Sequence, residues 1–140
     1  SFAKATTSFQ VATVLPVINV RVKSNSTKAL ETIASARLQE ALAEKGFRFS
    51  DDINKSDWVM KIEFNITDGS NYKNLYTAFA DVSVNINQAN TTSDKTVGAM
   101  SLTHIKGIDL DFEKARQKSL IAATDKAKSA LLAQVMESLK

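Results

Sequence analysis

The stretch Trp58–Thr67 constrains the fold of this chain more than any other segment. Its large apolar side chains alternate one by one with mostly polar neighbours, and they are Trp58, Met60, Ile62, Phe64 and Ile66. A period of two places such residues on one face of a β-strand. A strand with one apolar and one polar face belongs to a sheet that is covered on one side and solvated on the other. The pattern therefore predicts a sheet with one face packed against other elements.

The segment before this strand predicts one strand, one helix and a short extended piece. The stretch Val11–Lys23 contains Pro16, and after it Ile18, Val20 and Val22 alternate with polar residues as in a second half-buried strand. Several N-cap candidates follow in Ser24–Thr27. Apolar residues then recur at helical spacing until Gly46, which is typical of a helix terminus; they are Leu30, Ile33, Ala34, Leu38, Ala41 and Leu42. Phe47–Phe49 is predicted to be extended.

The segment after the opening strand predicts two more strands and a long helix. Turn-forming residues at Asp68–Asn71 predict a hairpin, with Leu75–Asn87 as the return strand and a second turn at Asn90–Asp94. The next strand, Thr96–Lys106, is less clearly patterned, since its inward set could be Val97, Ala99 and Ile105 or Met100 and Leu102. Either Asp109 or Asp111 can cap the last helix. The apolar stripe of that helix is Leu120, Ala123, Ala127, Leu131, Val135 and Leu139.

The order of these elements is β-α-(β)-β-β-β-α, which indicates an α+β fold. Two helices can cover one face of a mixed or antiparallel sheet of four or five strands, which gives a two-layer sandwich. At 140 residues the chain has the length of one domain. We expect a single domain over residues 11–140 and a flexible segment over residues 1–10.

Composition favours a binding protein over an enzyme. The chain has no cysteine and one histidine, His104, and it contains no glycine-rich phosphate loop and no nucleophile motif. We therefore predict no catalytic residue, no metal site and no cofactor. No apolar run reaches the roughly 18 residues that a membrane-spanning helix needs.

Two alternative functions follow from local features. Lys45–Phe49 resembles the start of a motif in which exposed aromatic rings stack on RNA bases, so Phe47 and Phe49 could bind nucleic acid. The last helix would assist, because residues 112–140 carry six Lys or Arg against three acidic residues. A weaker alternative is a small ligand bound between the sheet and the helices.

A larger arrangement resembles small domains of bacterial cell-envelope proteins. The leucine-rich helix Ala36–Lys45 leads to Gly46 and Phe47, and a loop then delivers Ser56–Met60 as the start of a strand. Two strands, Lys106-Gly107 and an alanine-rich helix follow. Similar patterns occur in the N-terminal domain of the Tol–Pal β-propeller protein, the curli secretion lipoprotein, penicillin-binding-protein activator lipoproteins and flagellar assembly protein T. The likeness covers Val17–Leu139.

This resemblance implies a non-enzymatic module that binds other envelope proteins, is often part of a lipoprotein, and is periplasmic or associated with the outer membrane. It brings no catalytic residue with it. Contact would be made through an exposed strand edge, which would also permit self-association, and through the polar sheet face and the hairpin tip. The predicted contact residues are Lys61, Glu63, Asn65, Tyr72, Leu75 and Tyr76.

Overall fold

The computed structural model describes residues 14–89 and 96–140, which form five strands and two α-helices. The predictions for segment 1–10 and for the turn Asn90–Asp94 lie outside the described residues. The elements are β1 (Val17–Ser24), α1 (Lys28–Ala43), β2 (Arg48–Phe49), β3 (Trp58–Tyr72), β4 (Leu75–Gln88), β5 (Thr96–Asp109) and α2 (Phe112–Ser138). A single 3-10 turn, Ile53–Lys55, leads into β3.

The strands form one mixed sheet in the order β2-β1-β3-β4-β5. β1 runs parallel to both β2 and β3, and β3, β4 and β5 form an antiparallel meander. Both helices pack on the same face of the sheet. The first helix, α1, contacts β1 and α2, and α2 contacts β3, β4 and β5. The predicted two-layer α+β fold is confirmed.

The core lies between the sheet and the helices, and the period of two in β3 decides which side chains enter it. The five apolar residues of the opening stretch are each at most 8% exposed, whereas Lys61, Glu63 and Asn65 between them are exposed. The alternating residues of β4 from Ala78 to Ile86 are buried in the same way. The helix stripe meets them from the other layer with Leu120, Ala123, Ala127, Leu131 and Val135.

Both helices begin at side-chain caps that the sequence supplies. Thr27 Oγ1 accepts the backbone N–H of Leu30 at 3.3 Å, which fixes the start of α1. Asp111 caps α2, because its Oδ1 accepts the backbone N–H of Lys114 at 2.7 Å. The other candidate, Asp109, is not the cap. Its carboxylate accepts the backbone N–H of Leu110 and pairs with Lys118.

The predicted hairpin of β3 with a return strand from Leu75 is confirmed, but the predicted position of its turn, Asp68–Asn71, is wrong. β3 continues through these residues to Tyr72, and the turn is made by Lys73 and Asn74, both with positive φ (51° and 64°). Two consecutive residues with positive φ are the signature of a two-residue hairpin loop of type I′. The turn-like composition at Asp68–Asn71 instead marks a shift of register within the strand pair.

A second register shift explains the weak pattern of β5. Val82 pairs with Leu102 and Ala80 with Ile105, so two residues, Thr103 and His104, bulge out opposite Asp81. The backbone of His104 has φ 58°, and its N–H donates to Asp81 Oδ1 at 2.7 Å. The side chains of β5 that pack against the core come from both predicted sets, with Val97 and Ile105 from one and Met100 and Leu102 from the other. The register is shifted next to Val97 as well, between Ile86 and Asn87 of β4. Neither set alone was right.

A candidate interaction surface at the hairpin tip

The structure divides the six predicted contact residues into two groups. Lys61, Glu63 and Asn65 are exposed in the first half of β3, on the sheet face away from the helices. Tyr72, Leu75 and Tyr76 lie around the β3–β4 turn. Asn65 and Tyr72 are seven residues apart, which at about 3.3 Å per residue is roughly 23 Å along the strand. The prediction therefore covered two regions and not one continuous patch.

Four of the six large apolar side chains that are exposed among the described residues lie at the second region, and the other two are Val14 and Met136. Tyr72 is 68% exposed and pairs directly with Leu75, which is 49% exposed. On the adjacent strand Ile108 is 43% exposed and pairs with Thr77, and Leu110 follows two residues later at 66%. We call Tyr72, Leu75, Ile108 and Leu110 the apolar tip. Single exposed apolar residues are common, but a cluster of large ones indicates a contact site.

The register shift in β3 decides where Tyr72 points. Side chains of even number from Trp58 to Ile66 face the helices, so an unbroken alternation would turn Tyr72 inward as well. After the shift, Asn71 pairs with Tyr76 and Tyr72 pairs with Leu75. Tyr76 contacts α2, so its neighbour Leu75, and with it Tyr72, face the other side of the sheet.

A glycine permits this register shift. A Cβ on Gly69 would overlap Thr77 Oγ1 and would lie only 2.7 Å from Cε2 of Phe79. The missing side chain lets the Phe79 ring lie over the strand, where its other contact is a stack on His104 with 4.0 Å between ring centroids. The hydroxyl of Thr77 accepts the backbone N–H of Ser70 at 2.7 Å. This hydrogen bond gives the Ser70 N–H a partner where the register shift interrupts the ladder of backbone hydrogen bonds.

Tyr76 has a structural contact that distinguishes it from its predicted companions. Its ring meets Phe112 edge to face at 4.8 Å between centroids, and it packs against the core. Tyr76 joins the first turn of α2 to the sheet. It belongs to the base of the apolar tip and not to its exposed surface.

Sequence reasoning missed Ile108 and Leu110. They follow Lys106 and Gly107, where the predicted strand was ended, whereas β5 continues to Asp109. A signal was present, since Ile108 and Leu110 alternate with Gly107 and Asp109 as the residues of a strand do. The alternation cannot show that β5 pairs with β4. That pairing places Ile108, near the end of β5, opposite Thr77, two residues after Leu75 at the start of β4.

An ion pair braces the sheet beneath the apolar tip. Arg116 in α2 donates from Nε and Nη2 to the two carboxylate oxygens of Asp68 in β3, at 2.7 Å and 2.6 Å. These hydrogen bonds hold the pKa of Asp68 below its usual value. The pKa of Asp109 is lowered too, first by the Leu110 N–H and then by Lys118. Both carboxylates therefore stay ionised at neutral pH, and they fix the tip on α2.

A groove opens beside this ion pair on the helix side of the sheet. It has a volume of about 820 Å³ and lies between the first turns of both helices and the end of β3. Its apolar lining comes from Leu30, Ile33 and Ile66, and its rim includes Asp68, Glu113, Arg116 and Gln117. We call it the interhelical groove. A small ligand bound between sheet and helices would have this site available, and that alternative stays a prediction.

The aromatic residues of the nucleic-acid alternative are not displayed for stacking. Phe47 is 3% exposed and lies 5.8 Å from the ring of Trp58, measured between centroids. Phe49 packs against the core and is only partly exposed. The expectation that both rings face solvent is wrong, because the sequence after Gly46 returns the chain to the sheet as β2. Four of the basic residues in 112–140, namely Arg116, Lys118, Lys128 and Lys140, form ion pairs.

The described residues show neither a metal cluster nor a membrane helix. Within residues 14–89 and 96–140, no three His, Asp or Glu side chains come together as metal ligands. In the same ranges, no helix has the length and apolarity needed to cross a membrane. Every buried side-chain N or O atom of the described residues has a hydrogen-bond partner.

The two edge strands of the sheet are β2, which has two residues, and β5. At the β5 edge, Gln134 Oε1 accepts the backbone N–H of Ala99 at 2.7 Å.

Solved structures share this fold, although no family model and no curated protein sequence matches the chain. A minor lipoprotein from Acinetobacter baumannii matches with TM-score 0.54 and 15% identity, covering 87% of this chain and 94% of that one. A Neisseria meningitidis lipoprotein matches with TM-score 0.52 and 11% identity, over 82% and 99%. PelC from Paraburkholderia phytofirmans, solved as a dodecamer, matches with TM-score 0.51 and 13% identity, over 88% and 84%.

These comparisons concern the fold. Their identities lie well below the level at which a shared function follows, and a fold hosts many functions. They nevertheless confirm the predicted resemblance to bacterial cell-envelope α/β modules, since proteins described as lipoproteins of two bacteria have the same arrangement of sheet and helices.

Proposed function

We propose that this chain is a non-enzymatic interaction module of the bacterial cell envelope, located in the periplasm or at the outer membrane. The observation that carries the proposal is the apolar tip, where Tyr72, Leu75, Ile108 and Leu110 are 43–68% exposed at one end of the sheet. The lipoprotein matches support the compartment. The contact would be made with another protein of the envelope.

The rigidity of the tip supports a binding role. It is built on two long paired strands, braced by the Asp68–Arg116 ion pair and by the Tyr76–Phe112 contact. Side chains held on regular elements lose little freedom when a partner covers them, so less of the interaction energy is spent on ordering. Aromatic residues such as Tyr72 are also enriched at the centres of protein interfaces.

The outer sheet face would extend the contact. Lys61, Glu63 and Asn65 are exposed there, and Lys23 of β1 pairs with Glu63 in the register of the sheet. Charged and polar side chains at a rim mainly set specificity and association rate, while the apolar centre supplies the affinity. We therefore assign the affinity to the tip and orientation to Lys61, Glu63 and Asn65.

Site-specific photo-crosslinking in the source bacterium tests the partner. We expect a crosslinker at position 72 or 75 to capture one defined envelope protein, and a crosslinker at exposed Lys126 in α2 to capture none. Capture should be lost when Leu110→Ser is added to the chain crosslinked from position 72.

Cell fractionation tests the compartment. Recovery of the protein in the cytoplasm would contradict the envelope assignment.

A matched pair of variants separates binding from folding. Tyr72→Ala should leave the free energy of unfolding within about 0.5 kcal/mol, as expected for a surface substitution, yet reduce partner capture at least tenfold. Tyr76→Ala should lower the free energy of unfolding by more than about 1 kcal/mol, because it removes a packed aromatic pair. Urea unfolding checks both. Equal capture by the wild type and Tyr72→Ala would overturn the role of the tip.

A further inference from the structure

We propose that the apolar tip of one copy docks in the interhelical groove of a second copy. This inference rests on the proposed function, because it names the partner of the same surface as another molecule of this chain. Two features on opposite sides of the sheet carry it, one protruding and one concave. Within residues 14–89 and 96–140, the exposed apolar side chains of the tip and the apolar lining of the groove are not packed against each other.

The groove has the chemistry that an apolar hairpin requires. Its apolar lining comes from Leu30 and Ile33 of α1 and from Ile66 of β3. The volume of about 820 Å³ falls within the roughly 300–1,000 Å³ of clefts that enclose a ligand. Such a cleft can accept the two paired side chains of the tip, Tyr72 and Leu75, with the turn between them.

The size of the tip argues against pairing of two tips. The tip consists of four large exposed apolar side chains, and the largest apolar patch on an ordinary monomer covers roughly 300–600 Å². A stable interface buries about 800 Å² on each partner. A tip pressed against an equal tip falls short of that area, whereas a tip enclosed by a groove also buries the sides of the hairpin.

Charge complementarity points the same way. Lys73 stands at the extreme of the turn, with its Nζ 5.3 Å from the centre of the Tyr72 ring. On the groove rim Asp68 and Arg116 neutralise each other, which leaves the exposed carboxylate of Glu113 as the net charge there. A positive tip thus meets a negative rim, which favours this orientation over tip against tip, where two Lys73 side chains would repel.

The tip and the groove lie on different faces of the molecule. Tyr72 and Leu75 face away from the helices, and the groove opens on the helix side. The tip of a molecule therefore does not cover its own groove. Head-to-tail contacts of this kind close into a ring when the rotation between copies permits it.

The test is the molar mass in solution of chains altered at the tip or the groove. The tip variant is Tyr72→Ser with Leu75→Ser. The groove variant is Ala29→Arg with Gln117→Arg, at two exposed rim positions where bulk and positive charge exclude a tip that carries Lys73. Ala133→Arg, exposed in the second half of α2, is the matched control. Circular dichroism confirms that every variant is folded.

Light scattering over increasing concentration should show self-association of the wild type and of Ala133→Arg. Each of the two altered chains alone should associate at least tenfold more weakly. An equimolar mixture of the two should form a species of two chains, because the intact tip of the groove variant fits the intact groove of the tip variant. Charge reversal gives a second measure, since Lys73→Glu and Glu113→Lys should each weaken association and the double variant should restore it.

Three outcomes would overturn the inference: a wild type that stays monomeric up to near-millimolar concentration, a groove variant that associates like the wild type, or a mixture that remains monomeric. The proposed function is judged separately. A monomeric wild type whose tip still crosslinks to a different envelope protein refutes docking between copies and leaves the proposed function standing. Loss of both readouts refutes both.

Discussion

Gly107 shows how one residue fixes the distance between the two layers. A Cβ added there would overlap the backbone N of Ser119 and would lie 2.5 Å from the backbone O of Ala115. Both atoms belong to the main chain of α2, so no side-chain rotation can relieve the contact. The buried small residues Ala115 and Ser119 complete the close approach of helix and strand. The tip is placed accurately because α2 lies directly on β5.

We expect Gly107→Ala to lower the free energy of unfolding by about 1–3 kcal/mol, the usual cost of overpacking. Gly98→Ala in the same strand is the control. Its Cβ would meet Gln134 Oε1 at 3.3 Å and Gln134 Cβ at 3.4 Å. Oε1 accepts the Ala99 N–H, but it is the end of a side chain for which a shift of a few tenths of an ångström relieves the contact. That substitution should change stability by less than about 1 kcal/mol, because relief is possible and the unfolded chain loses freedom. Equal effects in urea unfolding would contradict the close packing.

At the scale of elements, the Asp68–Arg116 ion pair ties the end of β3 to the first turns of α2. Both side chains are about 40% exposed, so solvent screens the interaction and it contributes about 0.5–1 kcal/mol. The folded-state pKa of Asp68 is below its usual value. The unfolded chain therefore binds the proton more readily, and acid favours unfolding.

This linkage predicts a defined pH dependence. The contribution is fully present well above the unfolded-state pKa of about 3.9, and it is lost as pH falls through the lowered folded-state pKa. Asp68→Asn should cost about 0.5–1 kcal/mol at neutral pH, and the difference from the wild type should shrink as pH falls through the lowered folded-state pKa of Asp68. Urea unfolding at a series of pH values measures it. A difference that grows in acid would contradict the assignment.

At the scale of the whole molecule, both helices and all five strands share one hydrophobic core. The parallel half of the sheet depends on α1, and the antiparallel half depends on α2, but β3 belongs to both halves. Neither half has a core that closes without the other. Trp58, the chain's only tryptophan, lies in β3 among the buried residues.

We expect the chain to unfold in one cooperative step. Trp58 fluorescence reports the parallel half near Phe47, while far-ultraviolet circular dichroism is dominated by α2, the longer helix. Because one core joins them, the two urea transitions should coincide in midpoint. Two separated midpoints would show that the halves of the sheet are independent units, and the tip would then be less firmly fixed than its contacts indicate.

The sequence by itself determined the layers of this protein. Alternation in β3 and β4 and the stripe of α2 depend only on the period of a strand or a helix, so they select buried faces without knowledge of the neighbours. The sequence also narrowed the caps to Ser24–Thr27 and to Asp109 or Asp111, because a capping side chain bonds a backbone N–H of the first turn, and the structure shows Thr27 and Asp111 in this role. The fold class could therefore be predicted from the residues.

Only the tertiary structure decided where the alternation breaks, and with it the face on which Tyr72 stands. The shifts at Asp68–Asn71 and at Thr103–His104 depend on contacts across strands: the space above Gly69 for Phe79, and Asp81 for the His104 N–H. A shift of one residue turns every later side chain to the opposite face. The same long-range pairing brings Ile108 and Leu110 beside Leu75, and a local period cannot contain that information.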